Sequence, residues 1–194
     1  MDLLGLIVTL FIVIDPFGNI PIFTNVLQNV PEERRQKILV RELLIALAVM
    51  LIFLFIGKNV MDFLELKPAT LRVSGGVVLF VIALGMIFPA KSMLGESDED
   101  EPFIVPLAVP LMAGPSALAL IMLFSVKYHD QLASLSVAVF SAWLISAVVL
   151  FFSTALMKQL GRKGMRAIER LMGMVLIMIA VQMLLEGIAT FFMK

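Results

Sequence analysis

Apolar positions run through this chain in stretches too long and too continuous for a soluble fold, and short charged segments separate them. Leu3 to Ile14 carries no charge, nor does Pro16 to Pro31, and a basic segment with Arg34, Arg35, Lys37 and Arg41 follows. Further runs cover about Ile38 to Gly57, Val73 to Ala90, Pro102 to Val126, Gln131 to Met157 and Leu171 to Phe192. Wound as helices, these runs are long enough for a hydrocarbon core about 30 Å thick. The second of them reaches full length only if Arg41 and Glu42 sit near the interface. The pattern predicts an all-α, polytopic membrane protein with six transmembrane helices in a single membrane domain, residues 1–194. Lys91 to Glu101, which holds Glu96, Asp98, Glu99, Asp100 and Glu101, reads as a solvated connection.

Two of the six predicted helices are broken. The first contains Asp15-Pro16-Phe17-Gly18-Asn19-Ile20-Pro21, and the fourth carries Pro106, Pro110, Gly114 and Pro115. Proline removes a backbone donor, and lipid cannot replace the lost hydrogen bond, so such breaks belong against protein or a water-filled cavity. A carboxylate at the depth of Asp15 is costly unless it faces such an interior, which makes it a candidate functional group.

The breaks stand in corresponding places of two halves, 1–98 and 99–194. Asp15-Pro16 matches Gly114-Pro115 at a separation of 99, while Arg72, Gly75 and Val77 match Arg170, Gly173 and Val175 at 98. Three spans is an odd number, so the halves would be oppositely oriented. That is a 3+3 inverted repeat with broken helices 1 and 4, the arrangement in which many secondary transporters bind solute near the midplane. The loops after spans one, three and five hold ten of the fifteen Lys and Arg residues, which predicts that these loops are cytoplasmic and both termini periplasmic. The first run has neither a basic leader nor a small-residue cleavage site and is expected to be retained.

Composition narrows the chemistry. Acidic and basic residues balance at 15 each, which gives no argument for a nucleic-acid partner. There is no cysteine and only His129, so no metal centre or cofactor site is expected. Intramembrane hydrolysis would want a paired Asp, a Ser-His or Ser-Lys arrangement, or a metal cluster, and the chain is not expected to be an enzyme.

Half-helices starting near Asn19 and Ser116 would turn free N–H groups towards the centre, which favours anions, while Asp15 and the exposed carbonyls favour cations. A zwitterion satisfies both. The candidate substrate-binding groups are Asp15, Gly18, Asn19, Thr24 and Asn25 from the first half, with Gly114, Ser116 and Gln182 from the second; Pro16, Pro21, Pro110 and Pro115 make the breaks. Plainer readings stand beside these. Asp15 either caps a half-helix alone or caps it and lines the site, Ser116 either caps or contacts solute, and Gln182 suits an interhelical hydrogen bond. Ala138, Ala142 and Ser146, at four-residue spacing, mark a close helix contact.

DPFGNIPIF at 15–23 and PLAVPLMAGPSAL at 106–118 resemble the paired signatures of the MarC family of bacterial inner-membrane proteins. Residues 41–47 and 101–107 are similar to its YhgN-like branch. The resemblance covers essentially the whole chain. It implies a multi-pass protein of the bacterial inner membrane that transports, and in some members exports, small neutral amino acids such as glycine or alanine. It also implies coupling to a proton or sodium gradient. A passive channel for small neutral solutes is the alternative. The oligomeric state is left open.

Overall fold

The computed structural model describes residues 2–28, 31–88 and 112–192; within them, the side chains of Pro21, Ile22, 25–28, 32–33 and Arg162 are left aside. The described chain is helical, with no strand. Helix α1 (Leu3–Ile14) meets α2 (Pro16–Gln28) at Asp15, and α3 (Glu32–Phe63) and α4 (Pro68–Ile87) complete the first half. The second half has α5 (Pro115–Lys127), a single 3-10 turn (His129–Gln131), α6 (Leu132–Phe151) and α7 (Ser153–Phe192).

Five stretches are long and apolar enough to cross a membrane: Leu3–Ile20, Arg34–Phe63, Pro68–Ile87, His129–Phe151 and Lys163–Phe192; α5 is a shorter apolar helix. The protein is thus an all-α, multi-pass membrane protein with five to six apolar spans. Its outer surface carries large apolar side chains such as Phe55, Val81, Met178 and Leu185, as a lipid-facing surface should. The Lys91 to Glu101 run, Pro106, Pro110 and the start of the predicted fourth span lie outside the described residues.

Two helices extend well beyond their predicted apolar runs. The helix of the second run starts at Glu32, and that of the sixth reaches back to Ser153, so Lys158, Arg166 and Arg170 are helical. Hydropathy marks the bilayer core and not the helix end, and Lys, Arg and Glu are good helix formers that carry the helix on into water. Inside α7 the direction changes at Gly161, whose φ of 63° falls in the left-handed region that glycine enters freely.

The most extensive helix contact is the antiparallel pair α4 and α7. Ala69, Gly76 and Ala83 recur every seven residues on α4, and Gly173, Ala180 and Gly187 do the same on α7. Each small residue meets its opposite number. A Cβ at Gly76 would stand 3.0 Å from the Ala180 carbonyl oxygen, one at Gly173 3.1 Å from that of Ala83, and one at Gly187 3.1 Å from that of Ala69. Backbones this close gain dispersion contacts, the main driving force for association where water is absent.

On the other side, α6 packs on α1 and α3. Its Leu135, Ala138, Ala142, Ser146 and Leu150 are wholly buried, so the four-residue stripe is a helix contact. The indole Nε1 of Trp143 donates to the Leu43 carbonyl at 2.8 Å, tying α6 to α3. Trp143→Phe keeps the ring and loses this bond. It is expected to cost about 1 kcal/mol, visible as a lower thermal unfolding midpoint of the detergent-solubilised protein.

Candidate functional site: the helix junctions

The junction of α1 and α2 is one residue long. Asp15 has φ 48° and ψ 61°, a left-handed conformation that Asp and Asn tolerate better than most residues. Its N–H donates to the carbonyls of Phe11 and Ile12, both at 3.1 Å, which closes α1. Its Oδ1 accepts from the Gly18 N–H at 3.1 Å, which caps α2, and Pro16 follows at the first helical position, where no donor is needed. Asn19 completes the arrangement by donating from Nδ2 to the Ile14 carbonyl at 3.0 Å. Two polar side chains thus satisfy backbone groups on both sides of the junction, which is how a helix can stop and restart in an apolar interior. The Phe11 and Phe17 rings meet edge to face at 6.1 Å across the turn and hold its angle.

Asp15 is only 8% exposed and Asn19 9%. Among the described residues no cationic side chain lies within ion-pair distance of the Asp15 carboxylate. Gly18 sits tightly here: a Cβ would collide with Asp15 Oδ2 and stand 2.6 Å from Met86 Cε near the end of α4, so both side chains would have to give way. Glu169 of α7 acts electrostatically on Asp15. Beside this junction lies a cavity of about 240 Å³ lined by Met86, Arg166, Glu169 and Arg170.

The second junction is described on one side only: Gly114, extended at φ −67° and ψ 161°, is followed by Pro115 at the head of α5, and the chain before residue 112 lies outside the described residues. Its carbonyl accepts from the Leu118 N–H at 3.0 Å, and Ser116 is buried at 4% exposure. Pro115 borders a larger cavity of about 390 Å³ whose other walls include Leu71, Ser74, Gly75 and Ala119. The junctions therefore flank α4 towards opposite ends, Gly18 against Met86 and Pro115 near Leu71.

Asp15, Gly18 and Asn19 are gathered at the first junction, and Gly114, Pro115 and Ser116 at the second. Thr24 is 7% exposed, and its Oγ1 finds no hydrogen-bond partner among the described residues. The Asn25 and Pro21 side chains and all of Pro110 fall outside what is described. Gln182 departs from the expectation. It lies on the exposed face of α7 and donates to Glu186 Oε1 at 3.0 Å, while Glu186 Oε2 takes Arg72 NH1 at 3.0 Å. A uniformly apolar run does not show which face its single amide occupies.

Glu42, which the sequence pattern sets near the membrane interface in depth, is 3% exposed and held by Arg41 at 2.7 Å. Its spacing from Leu39, Ala46 and Met50 carries the signal, because those residues form the inward stripe of α3. Among the described residues no group of three or more His, Asp or Glu is placed to hold a metal ion.

An apolar helical bundle with polar groups buried at its helix ends defines a polytopic membrane protein. The chain belongs to the MarC family: the model described as "MarC family integral membrane protein" matches residues 2–192. It is 48% identical over 189 residues to the UPF0056 inner membrane protein YhgN of Escherichia coli K12, covering 96% of each chain. It is 44% identical over 192 residues to a UPF0056 membrane protein of Buchnera aphidicola from Schizaphis graminum, with 98% of each covered. A UPF0056 membrane protein of Methanocaldococcus jannaschii is 28% identical over 189 residues, covering 93% of this chain and 92% of its own. None of these names states a substrate. No solved structure matches the chain.

Proposed function

We propose that the protein is a secondary transporter of small neutral amino acids such as glycine or alanine, working by alternating access about the two helix junctions. The observation that carries this reading is Asp15, a buried carboxylate without a cationic side-chain partner among the described residues, set where α1 ends and α2 begins. A capping role alone is served equally well by uncharged Asn or Ser, so the charge asks for a further use. An ammonium group or a coupling proton supplies it.

An inverted repeat fits the packing. Helices α2 and α5 are each thirteen residues long and begin with proline. The first lies on α7 and the second on α4, while α4 and α7 lie antiparallel to one another. Left-handed residues, Glu65 and Gly161, precede α4 and the main part of α7. In this reading the amino acid passes along α4 from one junction to the other, since they flank its opposite ends, and rocking of one half against the other exposes it to either side. The richer share of Lys and Arg orients both termini to the periplasm of a bacterial inner membrane.

Counterflow separates this from a passive channel. Proteoliposomes loaded with excess unlabelled alanine should transiently concentrate labelled alanine from outside, because a carrier exchanges one molecule for another. A channel would only equilibrate the label, and that outcome would replace the transporter reading.

A further inference from the structure

The charged cavity beside the first junction has no part yet. Arg166, Glu169 and Arg170 are spaced three and four apart on one face of α7, and Gly173, a turn further on, packs against Ala83 and Met86. Glu169 therefore extends the stripe by which α7 meets the bundle, and it lies near enough to Asp15 for its charge to be felt there. Among the described residues no ion pair within 4.0 Å engages any of the three. Their hydrogen-bonding capacity faces a space of about 240 Å³, below the roughly 300 Å³ at which pockets for drug-sized ligands begin.

The two halves show that these charges are not needed for packing. At the separations of 98 and 99 that relate the halves, Asp15 corresponds to Gly114, Glu169 to Leu71 and Arg166 to Pro68. Only Arg170 keeps its kind, as Arg72. The cavity at the second junction, lined by Leu71 and Pro115, is almost wholly apolar. The same type of helix contact is thus made once with two carboxylates and a second guanidinium, and once without them.

We infer that the cavity between Met86 and the Arg166–Glu169–Arg170 face of α7 is an entrance subsite for a small zwitterion, Arg166 and Arg170 taking its carboxylate while Glu169, with Asp15 behind it, takes its ammonium. This rests on the transporter reading and adds to it the residues that receive the solute. Guanidinium groups suit a carboxylate, and the Glu169 carboxylate, which lines the cavity with them, suits an ammonium. The one-sided charge makes the two mouths unequal. The mouth at the first junction selects a zwitterion, and the opposite mouth selects by size and apolar contact.

The test is equilibrium binding to the full chain in nanodiscs, using labelled alanine with propionate, which lacks the ammonium, and alaninamide, which lacks the carboxylate, as competitors. Wild type should prefer alanine to both. Glu169→Gln should weaken alanine about tenfold while changing propionate less than twofold. The Arg166→Gln/Arg170→Gln protein should weaken alanine by a similar factor and leave alaninamide unchanged. Lys163→Gln, an exposed cation on the same helix, should behave as wild type. Variants that keep wild-type affinity and preference, or that weaken all three probes equally, overturn the entrance subsite and leave the transporter reading standing. A wild-type protein that binds none of the three overturns both. Because the Glu169 and the arginine variants test opposite ends of the same ligand, misfolding of one, seen by size exclusion, leaves the other to decide.

Discussion

Asp15→Asn is expected to reduce proton-driven accumulation of alanine in proteoliposomes by about ten- to a hundredfold while the protein still folds and inserts. The separation of charge from structure is what makes this substitution informative. Asn accepts the Gly18 N–H through its amide oxygen, ranks with Asp as an N-cap, and tolerates the left-handed backbone at φ 48°. The junction geometry should therefore survive. What is lost is the negative charge, and a hydrogen bond to a charged group contributes about 1.5–3 kcal/mol, which sets the expected range. Asp15→Ala removes the cap as well as the charge and strains the backbone, at about 1 kcal/mol for each effect. Asn should accordingly leave thermal stability near wild type, and Ala should lower it. Uptake by the Asn protein that is undiminished and still requires the gradient would sink the role of Asp15.

The helix end at Asp15 was legible because Pro and Gly interrupt a run that otherwise carries no signal at all, and Asp15-Pro16 states its own capping chemistry. The apolar runs gave the spans for the same reason, since twenty or so uncharged residues have few other uses. Faces were not legible. In a soluble helix polar residues mark the outer side, whereas here both sides are apolar, so Gln182 could be read inward when the structure has it exposed, and Glu42 does not stand out as buried. Glu169 was invisible as a site residue because its neighbours Arg166 and Arg170 make the segment look like an ordinary interface. Only the fold brings it opposite Met86 and Asp15. The seven-residue recurrence of Ala69, Gly76 and Ala83 was present in the sequence, but the matching register in α7 gives it meaning.

That register carries the second large effect, expected for Gly76→Val. A Cβ at Gly76 would already stand 3.0 Å from the Ala180 carbonyl oxygen and 3.1 Å from Leu184 Cγ, and the first of these is backbone that cannot rotate away. Valine adds two more carbons on a stiff, branched side chain. The helices must separate, and overpacking of this kind costs about 1–3 kcal/mol. The loss should be larger than for Gly85→Val, because a Cβ at Gly85 meets nothing within 4 Å. Unfolding of both variants in detergent, followed by the α-helical circular dichroism signal, makes the comparison. Equal midpoints for the two would mean that close approach of α4 and α7 contributes little to stability. A selective loss at Gly76 would place the strength of the bundle in the helix pair against which both junctions are packed. Rocking of the two halves would then pivot about the α4–α7 contact, which stays closed while α2 and α5 move with their own halves.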